Sequence, residues 1–276
     1  MQDQEPTEPR QGIHVVEKHG TKALLVGLVL LVLGAPVVWK HQHQGAPQAR
    51  PVASVATSPG VQHAPVGLAD FGETTPSPDA RLVANWALAT HDNANHALMI
   101  VDKKDARVHV LAPDGRLQGS APILLGAAPG DDILPGAGEK TPAQLRPEEK
   151  TTPAGRFVAE PGVNADKEDV IWVDYGDAIS MHRVRTAVAR EHRLERLASP
   201  GTEDNRISFG CINLPAAFYD TVARPAVATY GAVVYVLPEM KTVQEVFGAY
   251  DVTDPAQVAA NRQDNPAHAG RKAGAA

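Results

Sequence analysis

The chain has 276 residues and a single cysteine, set in the run Arg206-Ile207-Ser208-Phe209-Gly210-Cys211-Ile212-Asn213-Leu214-Pro215. A thiol attacks as its thiolate, so Cys211 is either activated by its neighbours or a small buried hydrophobe. Asn213 suits a helix N-cap and Pro215 a first helical turn. That places Cys211 ahead of a helix N-terminus, whose partial positive charge favours a thiolate. Gly210 removes a side chain beside the sulfur and lets the backbone turn or a substrate approach. A nucleophilic thiol needs a base, and His182 is the candidate, in Ile179-Ser180-Met181-His182-Arg183 at the end of a predicted strand. Other histidines are less well placed: His41, His43, His63 and His268 fall in polar tails, His91 and His96 flank a loop, His109 is mid-strand and His192 lies in a charged stretch. No His-Glu-x-x-His or paired-Cys spacing points to a metal, and no Gly-x-Ser-x-Gly points to a hydrolase serine. The expectation is no cofactor and no metal.

The elements that would position this pair are mostly strands. Alternating or β-rich runs occur at 97–101, 107–111, 117–125, 156–159, 170–173, 178–181 and 231–236, with Asp114-Gly115 marking a hairpin. Ser77-Pro78-Asp79 opens one short helix. Two further helical stretches are predicted, a charged one around 186–198 and an apolar one at about 214–227. The folded part is a mostly β domain at 79–250, and the Ala-rich polar tail at 251–276 is expected to be disordered.

Residues 23–39 are apolar and uncharged, about 26 Å of helix at about 1.5 Å per residue. They predict a transmembrane signal anchor with residues 1–22 in the cytoplasm. A cleaved signal peptide is the alternative. The Pro/Ala-rich stretch 40–78 is expected to be a flexible linker carrying the domain away from the membrane. A net charge of −6 with no long Lys/Arg run excludes an electrostatic footprint for nucleic acid.

Ser208-x-Gly210-Cys211-Ile212-Asn213, the strand-borne His182, Thr152-Pro153-Ala154-Gly155 followed by Arg156-Phe157, and the strand pair around Met99 to Val110 together resemble the L,D-transpeptidase (YkuD) domain over about residues 95–238. The resemblance implies a mainly β, β-sandwich-like catalytic domain with a few short helices, preceded by one transmembrane anchor helix. It implies a cysteine acyltransferase in the bacterial inner membrane, with its catalytic domain in the periplasm. Cys211 would be acylated by peptidoglycan tetrapeptide stems, expelling D-Ala, and His182 would be the base. It further implies that the Arg183 carbonyl orients the imidazole, that the Gly210 and Cys211 N–H groups are oxyanion donors, that Ser208 and Asn213 support the motif, and that Phe209 and Thr152 contact substrate. Carbapenem-type inhibitors are expected to acylate Cys211.

Two features depart from the family pattern. Phe209 stands where the motif carries a second His, and the segment from His182 to Cys211 is long and holds Arg185, Arg190, Arg193 and Arg196. Those arginines either grip substrate carboxylates or form a solvated face. The Gly/Pro-rich stretch 126–147 is either a lid or a surface loop. Water in place of an acceptor amine would give a carboxypeptidase or amidase, and a non-catalytic peptidoglycan-binding module is the third reading.

Overall fold

Ser77 accepts a hydrogen bond from the Ala80 amide at 3.1 Å and opens α1 (Pro78–Thr90), as its Ser-Pro-Asp sequence predicts. The chain continues through β1 (Ala97–Asp102), β2 (Arg107–Leu111), β3 (Leu117–Pro122), β4 (Leu125–Gly126), β5 (Gly155–Val163), β6 (Asp169–Asp174) and β7 (Ile179–Arg183). Next come α2 (Arg193–Ala198), β8 (Arg206–Ser208), β9 (Ile212–Leu214), α3 (Ala216–Phe218), α4 (Arg224–Tyr230), β10 (Ala232–Val236), α5 (Val243–Phe247) and α6 (Pro255–Asp264). These elements come from a computed structural model that describes residues 67–264.

One eight-stranded sheet runs in the order β3-β2-β1-β10-β5-β6-β7-β9, and β4 pairs with β8 beside it. β5 belongs to two half-sheets. Its residues Gly155 to Ala159 pair with β10, and Glu160 to Val163 pair with β6. Alternation then sorts the side chains. Met99, Val101, Val234 and Val236 enter one core with Ile171, Met181, Ile212 and Leu214 of the other half-sheet. Leu98, Ile100, Val233 and Tyr235 point the other way, into a second core under Val83, Ala84, Trp86 and Leu88 of α1. Burial on both faces explains why β1 and β10 read as unbroken apolar runs. A one-residue slip would exchange the two cores, so the parallel β1–β10 register is strongly fixed.

Three expectations need adjustment. The fold begins before residue 79: Ala69 and Phe71 are buried against the α1 core, and Asp70 bridges Arg116. The tail expected to be disordered from 251 is helical at Pro255–Asp264, where Asp254 accepts from the Ala256 amide at 2.8 Å and caps the first turn. The charged helix expected at 186–198 is shorter, a 3₁₀ turn at Ala189–Glu191 followed by α2, because His192 between them is left-handed at φ 49°. The anchor at 23–39 and residues 1–22 lie outside the described residues, as does the linker up to 66. Among the described residues no helix is long and apolar enough to cross a membrane.

Candidate active site

Cys211 sits in the turn between β8 and β9. Ser208 Oγ closes this turn, donating to the Cys211 carbonyl at 2.6 Å and accepting from the Gly210 amide at 3.1 Å. From outside, Thr152 Oγ1 donates to the Gly210 carbonyl at 2.8 Å and accepts from the Gly126 amide at 2.9 Å. Gly210 has φ 127°, and a Cβ there would lie 2.8 Å from Ile179 Cδ1 and 2.9 Å from the Thr151 carbonyl oxygen. Only glycine fits. β9 then pairs in parallel with β7, setting Met181 against Ile212 and His182 against Asn213. Met181 and Ile212 go to the core, so Ser180 and His182 on β7 share the opposite face with Cys211 and Asn213.

All four of those residues line one cavity of 370 Å³. Cys211 Sγ lies 3.6 Å from Ser180 Oγ and 3.6 Å from the Ala178 carbonyl, whose residue is held at φ 55°. His182 Nδ1 lies 2.8 Å from the Arg183 carbonyl. A carbonyl only accepts, so Nδ1 carries the proton and Nε2 is the free base. Burial pushes the imidazole below its ordinary pKa. The bond to the Arg183 carbonyl opposes this, the charges of Arg185 and Arg193 reinforce it, and Glu168 opposes it. Near pH 7 His182 is therefore neutral and ready to take a proton.

The arrangement departs from several expectations. Asn213 is not an N-cap. It is fully buried within β9, because Ile212 and Leu214 pack in the core and keep the segment extended until Pro215. The helix expected directly after the thiol begins only at Ala216, beyond the strand β9. Thr152 is fully buried and holds the turn, while its neighbour Thr151 reaches the cavity. The Gly210 N–H is taken by Ser208, which leaves the Cys211 N–H without a hydrogen bond to any described residue. The Arg183 side chain turns away to Asp169 at 2.8 Å and Asp220 at 2.6 Å. Phe209 is 42% exposed at the cavity rim, with Lys150 Nζ 4.9 Å from its ring centre.

Of the four arginines, Arg185 and Arg193 line the cavity, while Arg196 is tied to the carbonyls of Glu191 and Asp204. Ile133, Ala137 and Lys140 of the 126–147 stretch form another wall, so that stretch covers the site. Trp172 completes it, lying so close over Gly162 that a Cβ there would meet its ring at 2.6 Å. Ser180 was missed from the sequence, although its i, i+2 spacing from His182 on a strand gives it the same face. Among the described residues no group of three or more His, Cys, Asp or Glu side chains could hold a metal ion.

No family model and no curated protein matches the chain. Solved structures do. L,D-transpeptidase catalytic domains are among its structural neighbours. The catalytic domain of the E. faecium L,D-transpeptidase aligns at 16% identity and a TM-score of 0.30, covering 52% of this chain and 98% of that one. Pgp2, the helical cell shape determining protein of Campylobacter jejuni, aligns at 18% and 0.36, covering 53% and 49%. L,D-transpeptidase 3 of Mycobacterium tuberculosis, solved with a faropenem-derived adduct, aligns at 15% and 0.30, covering 52% and 60%. The chain thus spans about half the length of Pgp2.

Proposed function

We propose that this protein is an L,D-transpeptidase, a cysteine acyltransferase that modifies peptidoglycan stem peptides. One observation carries the proposal: Cys211, in the turn that enters β9, and His182, on the neighbouring strand β7, face the same cavity, with the imidazole Nδ1 fixed on the Arg183 carbonyl. The reaction requires the thiol to leave the Ala178 carbonyl and turn toward His182 across the shared cavity. Nε2 accepts the thiol proton as Sγ attacks the carbonyl between the stem diamino acid and terminal D-Ala. The Cys211 N–H donates to the developing oxyanion. Collapse of the tetrahedral species breaks the C–N bond, and D-Ala leaves with the proton from His182. An acceptor amine then attacks the thioester, gives up its proton to Nε2, and the thiol is restored. The donor amide supplies the energy, so no nucleotide enters.

The proposal includes an anchor at 23–39 in the bacterial inner membrane and a catalytic domain outside the cytoplasm, supported by the uncharged apolar run there. It includes acylation of Cys211 by carbapenems, supported by the exposed path to the thiol through the cavity.

Purified peptidoglycan incubated with the enzyme, then digested and weighed as muropeptides, tests the reaction. New cross-linked or amine-exchanged muropeptides are expected. Loss of D-Ala without new bonds would make the enzyme a hydrolase. Unchanged muropeptides, together with no carbapenem adduct on Cys211, would overturn the enzyme reading in favour of a binding module.

A further inference from the structure

The long segment between His182 and Cys211 brings Arg185 and Arg193 into the site, and only Arg193 is bonded to Asn213. Arg193 begins α2, its side chain is only 10% exposed, and it lines the cavity beside His182, Cys211 and Asn213. Its Nε donates to Glu191 Oε2 at 2.6 Å, and its Nη1 donates to Asn213 Oδ1 at 2.6 Å. Guanidinium has donors only, so the amide of Asn213 must turn its oxygen toward Arg193. The amide nitrogen is then left to donate to the Cys211 carbonyl, 3.2 Å away. That carbonyl also accepts from Ser208, so both of its lone pairs are used and the backbone on the C-terminal side of the nucleophile is pinned.

We propose that Arg193 is a positioning residue with two separable actions: its fork orients Asn213 and through it the Cys211 backbone, and its charge acts on the His182 imidazole across the cavity. This rests on the Cys211–His182 reading above and adds to it. The second action favours the neutral base. A protonated His182 would be buried beside the charges of Arg185 and Arg193, with the Arg183 carbonyl and Glu168 opposing them.

The other groups around the imidazole are accounted for. Arg185 is paired with Asp166 at 2.9 Å and with Glu168 at 2.5 Å. Lys140 is paired with Glu149 at 2.5 Å on the opposite wall, and Asp177 lies on the turn before β7. Among the described residues Cys211 is the remaining titratable group that lines the site. Arg193 also bonds the Asn213 side chain that holds the Cys211 carbonyl, so its two actions call for different variants.

The test uses the rate of Cys211 alkylation by iodoacetamide against pH, together with NMR titration of ring-labelled His182, in the full chain. Neither readout depends on the natural substrate, so failure of the peptidoglycan reading would appear in the muropeptide assay and not here. Arg193→Gln is expected to move the His182 midpoint to higher pH, carry the acidic limb of alkylation with it, and slow the plateau rate about tenfold or more, toward the roughly 10²-fold that misplaced reacting groups cost. Arg193→Lys keeps the charge and loses the fork. It should leave the midpoint in place while slowing the plateau. Arg185→Gln should move the midpoint without slowing the plateau. An unmoved midpoint in Arg193→Gln, or a plateau equal to wild type in Arg193→Lys, would overturn the proposal. If Arg193→Gln does not melt cooperatively, Arg193→Lys alone decides the fork, and a raised midpoint there would overturn the charge action.

Discussion

Thr152 Oγ1 donates to the Gly210 carbonyl at 2.8 Å, across 58 residues of sequence. That carbonyl belongs to the same planar peptide unit as the Cys211 N–H, so holding one end aims the other in the opposite direction. A buried hydroxyl thereby sets the direction of the proposed oxyanion donor. Thr152→Val is expected to lower the rate of Cys211 acylation by up to the order of 10² to 10³ that a lost oxyanion donor costs, and to destabilise the fold by leaving the Gly126 N–H and Gly210 C=O unpaired, at about 1–3 kcal/mol each. Thr152→Ser should restore both. A Val variant that acylates at the wild-type rate would show that the turn holds its own peptide plane.

Gly210→Ala should damage the same turn from inside. The added Cβ meets Ile179 and the Thr151 carbonyl, and φ 127° is costly for any L side chain. A loss of at least about 1–3 kcal/mol in chemical denaturation is expected, with alkylation of Cys211 slowed as the turn shifts. Unchanged stability would mean that the turn relaxes without cost.

Acid stability should depend on His109. It is buried in β2, stacks edge-on against Phe71 with ring centres 5.4 Å apart, and its Nδ1 has no partner among the described residues. Burial pushes its pKa down to about 4, with Asp102 opposing and Arg107 assisting. The unfolded chain binds the proton more readily than the native state, so the native state is fully favoured above about pH 6.5 and loses stability as pH falls toward 4. The loss is on the order of 3 kcal/mol by the lower limit of that window. His109→Leu should flatten this part of the stability-versus-pH curve. An unchanged acid limb would assign it to other groups.

The strap over the site should fail when its buried ion pair is broken. Lys103 Nζ, fully buried, donates to Asp131 at 2.8 Å and to the Thr152 carbonyl at 3.0 Å, while Asp131 accepts from the amides of Glu239, Met240 and Lys241. Glu239 also pairs with Arg206 at the start of β8. Lys103→Met strands the Asp131 charge and is expected to cost about 3–5 kcal/mol. It should also speed hydrogen exchange across 126–152. Replacing Lys103 and Asp131 together by apolar residues should cost less than Lys103→Met alone, although the three amides then lose their acceptor. A cost below about 1 kcal/mol for the single change would mean that water enters and solvates Asp131.

The fold was legible where burial and period agree. β1, β2 and β10 were visible as apolar runs because two cores cover both of their faces, and the Asp114-Gly115 turn because its glycine takes φ 87°. The site was legible only at its centre. Asn213 has the local preference of a cap, yet pairing of β9 with β7 and burial of Ile212 and Leu214 override it. Arg193 looked like one of several solvated charges, since nothing in the spacing says which arginine folds inward against Asn213. Thr152 lay in a recognisable motif, but its hydroxyl faces the backbone of a distant turn instead of the cavity. Such partners are chosen by tertiary contact, which leaves no periodic trace.

The position of β10 has a consequence for the order of events during synthesis. It occupies the middle of the sheet, between β1 and β5, yet among the described residues it is the last strand to be made. Until residue 236 is available, β1 and β5 each present an unpaired edge, and the two cores lack the β10 side chains that enter them. The other seven strands of the eight-stranded sheet therefore wait on a five-residue segment. The half-sheets β3-β2-β1 and β5-β6-β7-β9 can pair within themselves, but they are joined only when this late segment has been made.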